Sequence, residues 1–187
     1  MKNTSKNKAV FLDRDGVINR DGDHVYKIKD FKFFKDTFEA LLKIPKEYKK
    51  IIITNQAGIA KGLYTLKDFQ TLNKWMLAQF KKNHITIDKV YFCPHHEKGT
   101  IKKYAKKCTC RKPRPGMILK AIKTYKIDAK KSWFIGDKES DMIAGRKSKC
   151  NTILIDRSGS IKIRKLFVSK SVKTLSDAVK IIIKFDE

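Results

Sequence analysis

The sequence predicts an α/β protein, a doubly wound parallel sheet with helices on both faces. Three observations lead there. Short, nearly all-apolar runs such as Ala9-Val10-Phe11-Leu12 and Ile51-Ile52-Ile53 read as strands covered on both sides. These runs alternate with amphipathic stretches, the pattern of repeated strand–helix units. The chain has 187 residues, 41% of them hydrophobic, which suits one domain with its own core and at most a small insertion.

The elements follow in order. The first strand is expected at Lys8–Leu12. Phe38, Leu41, Leu42 and Ile44 form the apolar stripe of a first helix. The second strand is Lys50–Ile53. Leu66, Phe69, Leu72, Trp75, Met76 and Phe80 return at helical spacing, and Thr65 with Asp68 caps that second helix. The third strand is Lys89–Phe92. Pro115 and Gly116 precede a third helix that runs to about Tyr125. Ser132–Ile135 is the fourth strand, Glu139–Lys147 the fourth helix and Thr152–Ile155 the fifth strand. Leu166–Val168 is a short sixth strand, and Leu175–Ile183 is a fifth helix. Two connections are long, Arg14 to Lys35 and Pro94 to Pro115. Both follow strand ends, and the carboxyl edge of an open parallel sheet is where ligands bind.

The net charge is +25, but 37 of the 44 basic residues are Lys, scattered from Lys2 to Lys184. Readers of nucleic acid favour Arg forks. A diffuse lysine excess describes a solvated surface, and its field also attracts a small anionic substrate. No apolar run approaches the ~20 residues needed to cross a bilayer, and Ala9–Leu12 is too short for a signal-peptide core. The expectation is a cytoplasmic monomer that binds neither nucleic acid nor membrane. Of the four cysteines, Cys93, Cys108 and Cys110 lie within 18 residues, with His95 among them. Without a secretion signal, that clustering favours metal over disulfides. Cys150 reads as a small buried apolar residue and His84 as structural.

Three strands end in groups that carry chemistry. The first runs into Asp13-Arg14-Asp15-Gly16, whose two carboxylates share a side in extended chain. One can serve as nucleophile or metal ligand and the other as acid/base, although a solvated turn has the same composition. The second ends in Thr54-Asn55-Gln56, which can hold a phosphate oxygen or cap a helix. The fourth ends in Gly136-Asp137-Lys138-Glu139-Ser140-Asp141, which can complete a divalent-metal site or cap the next helix. The conjunction of all three at one sheet edge, with Arg111-Lys112 in the long loop, favours a site.

These stretches resemble the motifs of the haloacid dehalogenase superfamily: Asp13-Arg14-Asp15-Gly16-Val17, Thr54-Asn55, Lys112, and Gly136 to Asp141, in order and at fitting spacing. Cys93-Pro94-His95-His96, Cys108-Thr109-Cys110-Arg111-Lys112-Pro113, Pro115-Gly116-Met117 and Gly58-Ile59-Ala60 narrow the resemblance to the D,D-heptose 1,7-bisphosphate phosphatases, across roughly residues 8 to 180. The resemblance implies a single haloacid-dehalogenase-like domain over 1–187, with a Rossmann-like sheet, a minimal cap and a zinc-loop insertion at about 93–113. It implies hydrolysis of the 7-phosphate of a sugar bisphosphate, in the making of lipopolysaccharide core or nucleotide-activated heptose. Asp13 is the implied nucleophile and Asp15 the acid/base, with Thr54 and Lys112 on the phosphoryl oxygens. Asp13, Asp15 through its carbonyl, Asp137 and also Lys138 are the implied Mg²⁺ residues. Asp141 is expected to position Lys112 or Lys138. Substrate contacts are expected from Asp21, Gly22, Asp23, His24, Asn55, Gln56, Ala57 and Arg111.

Cys93, His95, Cys108 and Cys110 supply a closed, structural Cys₃His zinc site, although their one-residue spacings depart from common zinc fingers. His96 is the alternative nitrogen ligand; the family pattern points to His95. Family members carry a His-Gly-Tyr element in the loop after the first motif. Here Gly22, Asp23 and His24 depart from it. The competing functions are a histidinol-phosphate phosphatase, a zinc-stabilised nucleic-acid-binding module and, between the two classes, a nucleic-acid 3′-phosphatase.

Overall fold

Side chains alternate across each strand, and that alternation builds the architecture. The computed structural model describes residues 7–161 and 164–186. Its sheet consists of β1 (Lys8–Leu12), β2 (Tyr48–Asn55), β3 (Lys89–Cys93), β4 (Trp133–Gly136), β5 (Asn151–Ile155) and β6 (Lys170–Val172). All neighbours pair in parallel, in the order β3-β2-β1-β4-β5-β6. In β1, Val10 and Leu12 enter one apolar layer and Ala9 and Phe11 the other, all fully buried.

Helices α1 (Thr37–Lys43), α3 (Leu66–Lys82) and α6 (Leu175–Asp186) cover the first face through Leu41, Met76 and Val179. Helices α4 (Gly116–Tyr125) and α5 (Glu139–Lys147) cover the second through Ile118 and Ala144. The short α2 (Ala57–Ala60) sits at the carboxyl end of β2. Cys150 belongs to the second apolar layer, as its reading required, and burial pushes its thiol up to about 12. The chain steps outward from β1 to β3 on one side and from β4 to β6 on the other. The crevice at the carboxyl ends of β1 and β4 is therefore the switch point, where such sheets bind ligands.

The cap of α3 is a full capping box. Thr65 Oγ1 accepts from Asp68 N at 3.1 Å, and Thr65 N donates to Asp68 Oδ2 at 2.8 Å. Such caps are worth about 1 kcal/mol.

Some expectations need correction. Leu166–Val168 is not a strand: Lys165–Phe167 forms a 3₁₀ turn, and the sixth strand is Lys170–Val172. An edge strand has little to bury, so an apolar run was the wrong signal for it. Leu42 is 55% exposed; in the seven-residue α1 the buried positions are Thr37, Ala40 and Leu41. The four-residue α2 was missed because it is too short to show a helical period.

Candidate active site and metal centres

The carboxyl end of β1 delivers Asp13, anchored by its N–H to Ile135 O at 2.9 Å. Gly16 completes the turn at φ +87°, and a Cβ there would lie 2.0 Å from Asp137 Oδ2. Only glycine accommodates both the left-handed backbone and that approach. The turn thus brings the β1 and β4 acids together.

Lys112 lies at the centre of this cluster and is 4% exposed. Its Nζ is 2.9 Å from Asp13 Oδ1 and 2.8 Å from Asp141 Oδ1, and it donates to Ile53 O at 2.9 Å. Burial alone would lower the Lys112 pKa, but Asp13 and Asp141 outweigh it and hold the ammonium above its usual value. Asn55 clamps the Lys112 backbone in both directions, with Nδ2 donating to the carbonyl and Oδ1 accepting from the N–H, each at 3.1 Å. Asp141 Oδ2 also accepts from Lys138 N at 3.1 Å, so Asp141 meets both expected lysines, Lys112 through the side chain and Lys138 through the backbone.

Asp15 is held from three directions. Arg14, 1% exposed, forks onto it with Nε at 3.1 Å from both carboxylate oxygens and Nη2 at 2.9 Å from Oδ1. Asn19 Nδ2 donates at 2.9 Å and Gln56 Nε2 at 3.3 Å. Gln56 also donates to Thr54 Oγ1 at 2.8 Å, and Tyr64 OH donates to Gln56 Oε1 at 2.6 Å. A buried amide thus ties the second motif to the first.

Asp13, Asp137 and Asp141 present carboxylate oxygens within 4.8 Å of one another. Lys112 pairs with Asp13 and Asp141, and among the described residues no ammonium lies within 4.0 Å of Asp137. Burial first, then Asp141, pushes Asp137 up to about 7, and burial pushes Asp13 well above the carboxylate range against the pull of Lys112. Asp137 Oδ1 is buried with no hydrogen-bond partner. Crowded acids with an orphaned oxygen suit a hard divalent cation. Lys138 does not suit that cation. Its side chain is an ammonium with no lone pair, and it reaches Asp21 Oδ2 at 2.7 Å.

Cys93, His95, Cys108 and Cys110 also converge within 4.8 Å. Cys110 Sγ is 3.1 Å from Cys93 Sγ, 3.2 Å from Cys108 Sγ and 3.4 Å from His95 Nδ1. All the cysteines are free thiols. Ligand separations near 3.5 Å, with three soft sulfurs and one imidazole, fit a tetrahedral zinc. His95, not His96, presents its nitrogen to the cluster; His96 Nδ1 accepts from Lys98 N.

The HAD-hydrolase-like family model matches residues 109–166. Curated relatives align over far more of the chain. The D-glycero-alpha-D-manno-heptose-1,7-bisphosphate 7-phosphatase of Campylobacter jejuni is 47% identical over 151 residues, 80% of this chain and 83% of its own. The D-glycero-beta-D-manno-heptose-1,7-bisphosphate 7-phosphatase of Helicobacter pylori is 42% identical over 178 residues, 93% of this chain and 98% of its own. This chain belongs to the heptose-1,7-bisphosphate 7-phosphatase family. The D,D-heptose 1,7-bisphosphate phosphatase of B. bronchiseptica, solved with magnesium and phosphate, shares the fold with a TM-score of 0.83 at 22% identity, over 95% of this chain and 99% of that chain.

The heptose-phosphatase motifs meet around one cavity of about 280 Å³, lined by Asp13, Asp15, Thr54, Lys112 and Asp141 at its base. Asp21, Asp23, His24, Asn55, Gln56, Ala57 and Arg111 also line it. Gly22 does not; it is exposed, and a Cβ there would meet Val25 at 3.2 Å. Asn55 and Gln56 were expected on substrate, yet their side chains already brace Lys112, Asp15 and Thr54. Sequence reasoning gave no role to Arg14, Asn19 or Tyr64. Arg14 lay inside the first motif, and an Arg between two candidate catalytic acids was a usable signal. Tyr64 had none.

Proposed function

We propose that this chain is a magnesium-dependent phosphatase that removes the 7-phosphate of D-glycero-D-manno-heptose 1,7-bisphosphate. One observation carries the reading. Two carboxylates at the end of β1, a hydroxyl at the end of β2 and a buried ammonium meet at the floor of a single cavity. Family membership supports the sugar, since the relatives in both anomeric series are named for it.

In this reading, an Asp13 carboxylate oxygen attacks the 7-phosphorus, the bond to the sugar oxygen breaks, and an aspartyl-phosphate forms. Asp15 gives a proton to the departing oxygen and then takes one from the water that cleaves the acyl phosphate. Arg14, Asn19 and Gln56 keep its carboxyl aimed. Lys112 and Thr54 hold the phosphoryl oxygens. Asp13, Asp137 and the carbonyl of Asp15 hold the magnesium ion, which when bound supplies the charge that lets an anionic nucleophile approach an anionic phosphate. Cys93, His95, Cys108 and Cys110 hold a structural zinc ion that shapes the loop presenting Arg111 to the sugar and Lys112 to the phosphorus. The chain acts as one domain over 1–187, with 93–113 as its insertion, and works in the cytoplasm as a monomer. Among the described residues no helix is long and apolar enough to cross a membrane.

A phosphate-release screen tests this. Both heptose bisphosphate anomers, histidinol phosphate and a DNA 3′-phosphate are compared with Mg²⁺ and with EDTA. Mg²⁺-dependent release, fastest from a heptose bisphosphate, is expected. Faster release from histidinol phosphate or DNA would replace the substrate.

A further inference from the structure

The proposed reaction uses Asp15 twice, first as acid toward the sugar oxygen and then as base toward water. Both transfers need its carboxyl within hydrogen-bond reach of a reacting atom, and an error of about an ångström can cost ~10²-fold. Arg14 and Asn19 hold Asp15 from its own loop. Gln56 Nε2, at 3.3 Å from Asp15 Oδ2, links it to the end of β2 and to Thr54, the hydroxyl assigned to the phosphoryl group. The backbone of Gln56 is fixed, since its N–H donates to Cys93 O at 2.8 Å. Its side chain is not fixed by shape, because the oxygen and nitrogen ends of an amide are alike in size.

Tyr64 decides the direction of that amide. It lies buried between α2 and α3, and its O–H donates to Gln56 Oε1 at 2.6 Å. With the oxygen taken by that donor, the amide nitrogen is left to donate to both Asp15 and Thr54. With the amide reversed, Gln56 Oε1 would face the Asp15 carboxylate, and among the described residues the Tyr64 hydrogen has no other acceptor. The hydroxyl is itself held in place. The Tyr64 ring stacks on Tyr26, with centroids 5.0 Å apart and planes 10° apart. It also fills the space that Gly58 leaves open, where a Cβ would come within 2.0 Å of Tyr64 Cε1. Burial pushes the hydroxyl up to about 12, so it remains a donor at neutral pH.

We propose that Tyr64 is a positioning residue for proton transfer: acting through Gln56, it aims the Asp15 carboxyl at the departing sugar oxygen and then at water. This deepens the phosphatase reading above and rests on it. Tyr64 belongs to none of the motifs that carried the family resemblance, and its hydrogen bond reaches Asp15 only through the amide.

The test uses leaving groups of different basicity. A sugar alkoxide needs the proton from Asp15, whereas p-nitrophenolate leaves without one. Wild type, Tyr64→Phe, Gln56→Met and the double variant are compared with magnesium and zinc present. Heptose 1,7-bisphosphate is followed at steady state, and p-nitrophenyl phosphate in single turnovers with enzyme in excess. Tyr64→Phe should lower kcat on the sugar about 10-fold and leave KM within about twofold of wild type. Its single-turnover release of p-nitrophenolate should stay within about twofold of wild type. In the Gln56→Met background the same substitution should cost less than about twofold, because the amide it acts through is gone. Equal losses on both leaving groups, or no loss on either, would overturn the inference alone. So would a Tyr64→Phe cost that is undiminished in the Gln56→Met background. Wild-type protein that releases phosphate from neither compound would overturn the phosphatase reading and the inference with it.

Discussion

Replacing Lys112 with Met keeps the length of the side chain and deletes its charge. Three contacts disappear, to Asp13 at 2.9 Å, Asp141 at 2.8 Å and Ile53 O at 2.9 Å. Removing one partner from a buried ion pair costs about 3–5 kcal/mol, because the other charge stays behind uncompensated. Domains of this size have about 5–15 kcal/mol in hand, so the variant should still fold. The loss should depend on pH. Burial already holds the Asp13 pKa well above its usual value, and without the ammonium that pulls it down it rises further above that of the unfolded chain. A raised carboxyl pKa favours the fold at low pH, and that advantage is lost as pH rises through it. Urea unfolding in EDTA should therefore show a larger deficit against wild type at pH 8 than at pH 5. Turnover with magnesium should fall about 10²- to 10³-fold, the usual result of deleting one preorganised group at a developing charge. A Lys112→Met enzyme within threefold of wild-type kcat would refute the assigned role. Equal destabilisation at both pH values would refute the electrostatic account of the cluster.

Other outcomes follow from the same geometry. Asp13→Asn should cut turnover by about 10⁴-fold or more while keeping the wild-type circular dichroism, and substantial steady-state activity would exclude the covalent step. Asp137 is pushed up to about 7 by burial, so the metal-free fold loses stability as pH rises through that value. Mg²⁺ should therefore raise the thermal midpoint more at pH 8 than at pH 5.5, which a melting series with EDTA controls would check. Cys110→Ser should lose zinc by elemental analysis and about 10²-fold in rate, because Lys112 follows the site within two residues and loses its rigid support. The sheet has its own apolar layers, so that variant should keep its secondary structure.

The strands were legible because they are buried on both faces and leave uninterrupted apolar runs. Val10, Phe11, Ile51, Ile52, Phe134 and Ile135 are fully buried, as their runs implied. The sixth strand failed because an edge strand need not be apolar. Helix α3 was legible from its stripe and its cap. The position of Leu42 was not, since a seven-residue helix leaves the stripe too short to fix its face.

The site divides in the same way. Residue chemistry and order along the chain selected Asp13, Asp15, Thr54, Lys112, Asp137 and the Cys₃His set, because nucleophiles, acids and soft ligands are specific side-chain types in short, contiguous motifs. Tertiary structure decided how those groups are shared. It placed Lys112 between Asp13 and Asp141, 99 and 29 positions away in sequence. It turned Lys138 onto Asp21, used Asn55 and Gln56 as braces, and buried Arg14 as the fork behind Asp15. It also set Tyr64 behind Gln56. A motif names the groups that must be present. Their partners come from separate loops, and only closure of the sheet edge brings those loops within hydrogen-bond reach.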